Sequence, residues 1–172
     1  MNLLRRYRAV IAFAVAALFV VGLGWGVALY LSYEPPNYHR VDDKLYLGGA
    51  VANPPRGVTA VLNLCETEDR YATEHYRWRP IADAAPAPDL AWLRDQVRWI
   101  EEQHRANRAV YVHCRNGVRR SGLVTTAYLM ARYDWTPDEA LLHIRKSRAG
   151  VRPNPAFNLL LNEWELTLRK QQ

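Results

Sequence analysis

Residues 113–122 read His113-Cys114-Arg115-Asn116-Gly117-Val118-Arg119-Arg120-Ser121-Gly122. The apolar run before them, residues 109–112, predicts a buried strand, and residues 123–133 predict a helix. The stretch is therefore a loop that ends at a helix N-terminus, where free backbone N–H groups and the helix dipole attract an anion. Gly117 permits a backbone conformation that a side chain would penalise. These features predict a phosphate-sized pocket inside the loop.

Cys114 and Arg120 lie six positions apart on this loop. The field that attracts an anion also favours a thiolate, so we expect a lowered pKa and a nucleophilic sulfur at Cys114. The planar guanidinium of Arg120 can bind two phosphoryl oxygens at once. A free cysteine is more often a small buried hydrophobe, but the residues around Cys114 favour catalysis over that structural role. The pattern therefore indicates chemistry on a phosphate ester.

The loop resembles the His-Cys-x-x-Gly-x-x-Arg-Ser signature of the cysteine-dependent dual-specificity protein phosphatases, within the protein tyrosine phosphatase superfamily. Three further segments resemble landmarks of that family in the same order: residues 44–48, 58–64 and 152–165. The resemblance spans Tyr38 to Glu165 and implies an α/β fold, in which helices flank a mainly parallel central sheet. It also implies a dual-specificity phosphatase, a hydrolase that acts on phosphotyrosine, phosphoserine and phosphothreonine without a metal or a cofactor.

The same resemblance implies a role for each residue of the loop. Cys114 would attack phosphorus to form a phosphocysteine, while Arg120 holds the equatorial oxygens. Ser121 would stabilise the Cys114 thiolate, and His113 would orient the loop and tune the thiol. The other loop residues would form the phosphate cradle, namely Arg115, Asn116, Gly117, Val118 and Arg119.

The general acid must come from another segment, because the loop itself carries no carboxylate. Asp83 is the leading candidate, since residues 77–81 look extended and the family places its acid just after such a strand. Asp89 is the alternative, although it precedes an amphipathic helix and suits an N-cap. We therefore expect Asp83 to protonate the leaving oxygen and then to activate water.

Cys65 follows the predicted strand at residues 58–64. If that strand runs parallel to residues 109–113, both strands end at the same edge of the sheet, which brings Cys65 towards Cys114. The segment Asn63-Leu64-Cys65 also resembles phosphoinositide phosphatases of the family, in which a second cysteine can trap the oxidised nucleophile. Cys65 is thus either a redox partner of Cys114 or an inert, half-buried thiol.

The N-terminal part of the chain carries no charged residue from Ala9 to Tyr33. About 20 apolar residues cross a bilayer as a helix, so residues 1–33 predict a single-pass membrane anchor, followed by a linker at 34–39 and a phosphatase domain at 40–172. A cleaved signal peptide is the alternative, but the apolar core of a signal peptide is usually shorter than the uncharged run in this chain. The arginines before the span either keep the N-terminus in the cytoplasm or bind anionic lipid at a membrane surface, so the side of the catalytic domain stays open.

The chain of 172 residues has a formal net charge of +6, of which the three N-terminal arginines supply half. Beyond them, 20 basic residues are balanced by 17 acidic ones. Such a mild excess argues against nucleic acid as a partner. Two cysteines cannot build a disulfide scaffold, and no cysteine and histidine have the spacing of a zinc motif. The expected partners are a phosphoprotein or phospholipid substrate and a membrane.

Three alternatives to a protein phosphatase stay open. Residues 110–114 and 135–140 are similar to the branch that acts on phosphatidylglycerol phosphate, which favours a membrane lipid phosphatase acting on that lipid or on phosphoinositides. A catalytically dead phosphate-binding module would keep the loop without turnover. A sulfur transferase also uses a cysteine on a curled loop, although Arg120 followed by Ser121 favours phosphate. The presence of Cys114 together with Arg120 and a candidate acid favours an enzyme.

Overall fold

The computed structural model describes residues 2–31, 36–69 and 71–170. The chain divides into two compact units, Met1–Pro36 and Asn37–Gln172. The first unit contains one helix, α1 (Asn2–Leu31). The second unit contains the five strands and the four other helices of the described chain.

Helix α1 covers most of the predicted membrane anchor, and its described apolar side chains, such as Phe13 and Trp25, are exposed. The helix includes the residues before Ala9, because the arginines and leucines there are good helix formers. Among the described residues, no helix combines the length and the apolar character that a membrane crossing requires. The predicted transmembrane span is therefore not supported. Its last residues and the first part of the predicted linker, residues 32–35, lie outside the described residues.

The second unit is built on a five-stranded sheet. Its strands are β1 (Tyr38–Asp42), β2 (Leu45–Gly48), β3 (Val58–Asn63), β4 (His75–Trp78) and β5 (Ala109–His113). Their order across the sheet is β1-β2-β5-β3-β4. Strand β1 pairs with β2 in the antiparallel sense, and every other pair is parallel. The mainly parallel sheet predicted from the sequence is thus present, with one antiparallel strand at its edge.

Four helices complete this unit: α2 (Leu90–Arg105), α3 (Arg120–Tyr133), α4 (Pro137–Ser147) and α5 (Pro155–Arg169). Asp89 caps α2, since its carboxylate accepts a hydrogen bond from the Trp92 amide at 2.7 Å. Thr136 and Glu139 form a capping box at the start of α4. These caps fix where the helices begin, and the main core lies between the helices and one face of the sheet.

The parallel pairing of β3 with β5 decides the position of the site. Asn63 is the register partner of His113, and the Leu64 amide donates to the His113 carbonyl at 2.9 Å. Both strands therefore end at the same edge of the sheet, as the sequence predicted. The residues that follow them, from Cys65 and from Cys114 onwards, leave the sheet side by side.

Candidate active site

The loop between β5 and α3 is fixed by hydrogen bonds from several parts of the fold. The Cys114 amide donates to the Gly48 carbonyl at 3.3 Å. On the outside of the loop, the Arg148 side chain donates to the carbonyls of Asn116 and Gly117, both at 2.8 Å. Gly117 has a φ of +67°. The bonded carbonyls point outward, which leaves amides of the loop free for an anion. The sequence analysis did not predict a role for Arg148, because this residue is the C-cap of α4, far along the chain from the loop that it contacts.

The N-terminus of α3 has no side-chain cap. Arg119 occupies the N-cap position and makes no capping hydrogen bond. The first amides of a helix need partners, so an uncapped start at the end of this loop is suited to bind a phosphate. The helix begins at Arg120 rather than near the predicted residue 123, which places the arginine in its first turn.

The thiol of Cys114 is buried and lies 3.3 Å from the Ser121 hydroxyl. Burial raises the pKa of this thiol, but hydrogen bonds from the Ser121 side chain and from the amides of Ser121, Val118 and Gly117 outweigh burial and lower the pKa. These donors stabilise the thiolate, which is the nucleophilic form. The geometry agrees with the nucleophile predicted at this position.

Arg120 is buried and its guanidinium is held on one side by three acceptors. Its Nη1 donates to the Ile81 carbonyl at 3.2 Å and to the Leu64 carbonyl at 3.4 Å, and it lies 2.5 Å from Oε2 of Glu66. Its buried Nε has no hydrogen-bond partner among the described residues. Burial lowers the pKa of Arg120, but the hydrogen bond with Glu66 and the nearby negative charges raise it overall. The free edge of the guanidinium can therefore bind an oxyanion.

Glu66 was not found by the sequence analysis. It follows Cys65 at the carboxyl end of β3, and the same ion pair lowers the pKa of its carboxyl group. The signal that could have found it is its position, because the carboxyl ends of parallel strands meet at one edge of the sheet.

Asp83 lies in the same pocket as Cys114 and Arg120, which has a volume of about 260 Å³. Its Oδ2 is 3.6 Å from Nη1 of Arg119, and its buried Oδ1 has no hydrogen-bond partner among the described residues. The Ile81 carbonyl bonds to Arg120, so the segment that carries Asp83 is tied to the loop. The first candidate acid thus lines the pocket that contains the nucleophile, whereas the alternative, Asp89, caps a helix.

The ring of His113 is fully buried behind the loop. It stacks on Tyr111 with ring centroids 5.2 Å apart, and the edge of Tyr71 meets it at 5.4 Å. Burial lowers the pKa of His113 to about 4, so the ring is neutral at neutral pH. A neutral, tightly packed ring suits the orienting role that the resemblance implied.

Cys65 is buried beside His113, with 4.0 Å between Sγ and Nδ1. Burial raises the pKa of this thiol to about 11, helped by the charges of Asp69 and Cys114. Both cysteines are free thiols. At neutral pH, Cys65 is therefore protonated and a poor nucleophile.

The rim of the pocket is rich in arginine. Arg119 and Arg152 line it together with Asn116 and Val118, and Arg115 is also exposed on the loop. Arg152 was not predicted as a site residue. Its amide donates to the Val118 carbonyl at 3.1 Å, which attaches the segment before α5 to the loop.

Comparison with known proteins gives consistent matches. The family model for the dual specificity phosphatase catalytic domain matches residues 45–167. Protein phosphatase Slingshot homolog 3 of Rattus norvegicus is 31% identical over 153 residues, which cover 83% of this chain and 24% of that protein. This chain therefore spans about a quarter of the length of that relative.

Solved structures show the same architecture. A crystal structure of human DUSP28 matches with a TM-score of 0.72 and 29% identity, over 80% of this chain and 99% of that chain. A crystal structure of PTPMT1 in complex with PI(5)P matches with a TM-score of 0.69 and 24% identity, over 79% of this chain and 99% of that chain. At the identity of the second match, the likeness establishes a shared fold.

Proposed function

This chain belongs to the dual specificity phosphatase family, within the protein tyrosine phosphatase superfamily, and from that premise we propose that it hydrolyses phosphomonoesters of protein side chains through a phosphocysteine at Cys114. The observation that carries the proposal is the arrangement around that sulfur. A stabilised thiolate, an arginine with a free edge and a carboxylic acid line one pocket at an uncapped helix N-terminus.

The first step transfers the phosphoryl group to the enzyme. Sγ of Cys114 attacks phosphorus along the line of the leaving oxygen, so an S–P bond forms as the P–O bond breaks. Arg120 and the loop amides stabilise the charge on the three equatorial oxygens. Asp83 gives its proton to the leaving oxygen, which departs as an alcohol or a phenol.

The second step regenerates the thiolate. Asp83, now ionised, takes a proton from a water molecule whose oxygen attacks phosphorus. The S–P bond breaks, inorganic phosphate forms and the electron pair returns to Sγ of Cys114. Ser121 stabilises this leaving thiolate through its contact at 3.3 Å.

The direct test uses the full chain with para-nitrophenyl phosphate in the presence of a chelator. We expect release of nitrophenol in the wild type and none in Cys114→Ser. Binding of the ester without turnover would favour a phosphate-binding module instead. Cyanide-dependent formation of thiocyanate would favour a sulfur transferase.

The acid assignment has a matched control in the chain. Asp83→Asn removes the proton donor and should lower kcat by ~10²- to 10⁴-fold, the usual contribution of general acid catalysis. Asp89→Asn keeps an N-cap residue in front of α2 and should leave kcat near the wild-type value. The opposite ranking of the two variants in a pH–rate comparison would overturn the assignment.

A lipid substrate is the second candidate, and the arginine rim favours it. Arg115, Arg119 and Arg152 put positive charge around the pocket, which suits a phosphomonoester on an anionic headgroup. The PTPMT1 structure that shares this fold contains PI(5)P. The test compares kcat/KM on phosphopeptides with kcat/KM on vesicles that contain phosphatidylglycerol phosphate or phosphoinositide. A much larger kcat/KM on the vesicles would overturn the proposal of a protein substrate.

Membrane attachment through residues 1–33 remains a prediction from the sequence. The exposed apolar side chains of α1 support an association with lipid. On which side of the membrane the catalytic domain lies is a separate question. Fractionation of cells that express the full chain, followed by alkaline extraction and protease protection, tests both points. Recovery of the full chain in the aqueous fraction would contradict the prediction.

A further inference from the structure

Three metal-ligating side chains, none of which lines the phosphate pocket, meet at the carboxyl ends of β3 and β5. They are Cys65, Asp69 and His113, and one ligand atom from each lies within 4.8 Å of the other two. Nε2 of His113 is 3.5 Å from Oδ2 of Asp69, and the Cys65 sulfur is 4.0 Å from the other ring nitrogen. Two of the three residues are buried, whereas Asp69 is 28% exposed and leaves a path from solvent.

The buried ring nitrogen of His113 points to a ligand. Its Nε2 makes no hydrogen bond among the described residues, although a carboxylate oxygen lies 3.5 Å away. A buried polar atom without a partner is costly, and such atoms are rare in folded proteins. A cation between the ring nitrogen and the carboxylate of Asp69 would give that nitrogen a partner.

The surrounding contacts hold the three donors in place. The Asn63 side chain accepts a hydrogen bond from the Cys65 amide at 2.7 Å and donates to Oδ2 of Asp69 at 3.1 Å. The hydroxyl of Tyr76 accepts a hydrogen bond from the Asp69 amide at 3.1 Å and one from the Asn63 side chain at 2.9 Å. Outer contacts of this kind orient the ligands of metal sites.

The donor set and its spacing fit Zn²⁺ better than a hard cation. Thiolate, imidazole and carboxylate are the ligands of zinc, and bond lengths of about 2.0–2.3 Å in a tetrahedron place neighbouring donors roughly 3.4–3.6 Å apart. The separation of 3.5 Å between Nε2 of His113 and Oδ2 of Asp69 lies in that range, and the sulfur of Cys65 belongs to the same set of ligand atoms, all within 4.8 Å of one another. Magnesium and calcium prefer sets made only of oxygen. Closing these donors onto one ion, with water as the fourth ligand, therefore requires the packed ring of His113 to shift towards Cys65 and Asp69.

We propose that Cys65, Asp69 and His113 form an inhibitory zinc site. Binding releases the proton of the Cys65 thiol to solvent, and the thiolate sulfur, the ring nitrogen and a carboxylate oxygen then bond to the metal. His113 is joined to Cys114 by a peptide bond, so a pull on its ring displaces the nucleophile. A displacement of about 1 Å in an active site lowers the rate by ~100-fold. This regulatory part rests on the proposed phosphatase function, whereas the metal site does not.

The binding test removes the catalytic thiol, so that Cys114 cannot hold the metal. We expect full-length Cys114→Ser to bind one Co²⁺, with a sulfur-to-metal charge-transfer band and the visible bands of tetrahedral cobalt, and Zn²⁺ to displace it. In that background, Cys65→Ser should lose the charge-transfer band, and Asp69→Asn should weaken affinity by ~10- to 100-fold. Glu68→Gln, an exposed carboxylate on the same loop, is the matched control and should bind normally.

Circular dichroism and melting temperature first show that each variant is folded. A charge-transfer band that survives in Cys65→Ser, or equal weakening by Asp69→Asn and Glu68→Gln, overturns the site. The activity arm uses chains with Cys114 intact, in which Zn²⁺ should inhibit, a chelator should restore turnover, and Asp69→Asn should need more zinc. Metal binding without inhibition overturns the regulatory role alone. Metal binding in a chain that has no phosphatase activity overturns the proposed function and leaves the site standing.

Discussion

We expect Gly117→Ala to lower activity by distorting the catalytic loop, beyond the loss of stability that a strained backbone conformation causes by itself. Gly117 has a φ of +67°, and a Cβ built on it would lie 2.5 Å from the Gly49 nitrogen and 2.6 Å from the Gly48 oxygen. These neighbours are backbone atoms at the end of β2, which cannot rotate away. The loop and the end of that strand must therefore move apart in Gly117→Ala.

The magnitude follows from two contributions. A left-handed conformation costs a non-glycine residue roughly 1–2 kcal/mol. Ordinary contacts of a Cβ begin at 3.4 Å, so the separation from the Gly49 nitrogen is 0.9 Å too short. A shift of that size at the loop should lower kcat/KM by ~100-fold, because catalytic groups tolerate little displacement.

Gly57 is the matched control. Its φ is +84°, and a Cβ there would meet nothing within 4 Å. Gly57→Ala should therefore lower the free energy of unfolding by the same amount, roughly 1–2 kcal/mol. Its kcat/KM should stay at the wild-type value. The assay is hydrolysis of para-nitrophenyl phosphate, with melting temperatures measured in parallel. Equal kcat/KM in the two variants would refute the claim that close packing against β2 sets the shape of the loop.

Three further predictions concern the thiols and the arginine. Ser121→Ala removes a hydrogen bond that stabilises the thiolate, so the pKa of Cys114 should rise and its alkylation by iodoacetamide should move to higher pH; an unchanged pH profile would contradict this. Glu66→Gln removes the ion pair with Nη1 of Arg120. Because the Glu66 side chain is mostly exposed, we expect kcat/KM to fall by only ~3- to 10-fold. An unchanged kcat/KM would show that the backbone carbonyls of Leu64 and Ile81 position the guanidinium without Glu66. Peroxide treatment followed by mass mapping tests the redox pairing: a linked Cys65–Cys114 peptide would support it, and its absence would favour the inert thiol that the raised pKa of Cys65 suggests.

The sequence was sufficient for features that depend on local order along the chain. The strand before the loop, the helix after it and the left-handed glycine are all encoded within residues 109–133, and the structure has them. The parallel pairing of β3 with β5 could also be predicted, because buried strands joined through a helix run parallel. The cap at Asp89 was predicted correctly, because capping depends on residues that are close together in the sequence.

Contacts between distant segments had no such signal. Glu66, Arg148 and Arg152 come from three different segments and meet the loop only after folding. The proposed zinc ligands had no sequence signal for a related reason, since Cys65 and His113 are separated by 48 positions, far from any short metal motif. For residues 9–33, apolar composition predicted a membrane crossing, which the described part of the helix does not support.

The two cysteines show why burial alone does not decide the chemistry at this edge of the sheet. Cys114 is 3% exposed and Cys65 is 4% exposed, so both thiols are equally withdrawn from water. Burial raises the pKa of each, yet the pKa of Cys114 is lowered overall while that of Cys65 rises to about 11. The difference lies in the donors, because Cys114 receives hydrogen bonds from the Ser121 hydroxyl and from loop amides at the start of α3. Those same amides are the groups that would bind phosphate, so one structural feature both activates the nucleophile and recruits its substrate.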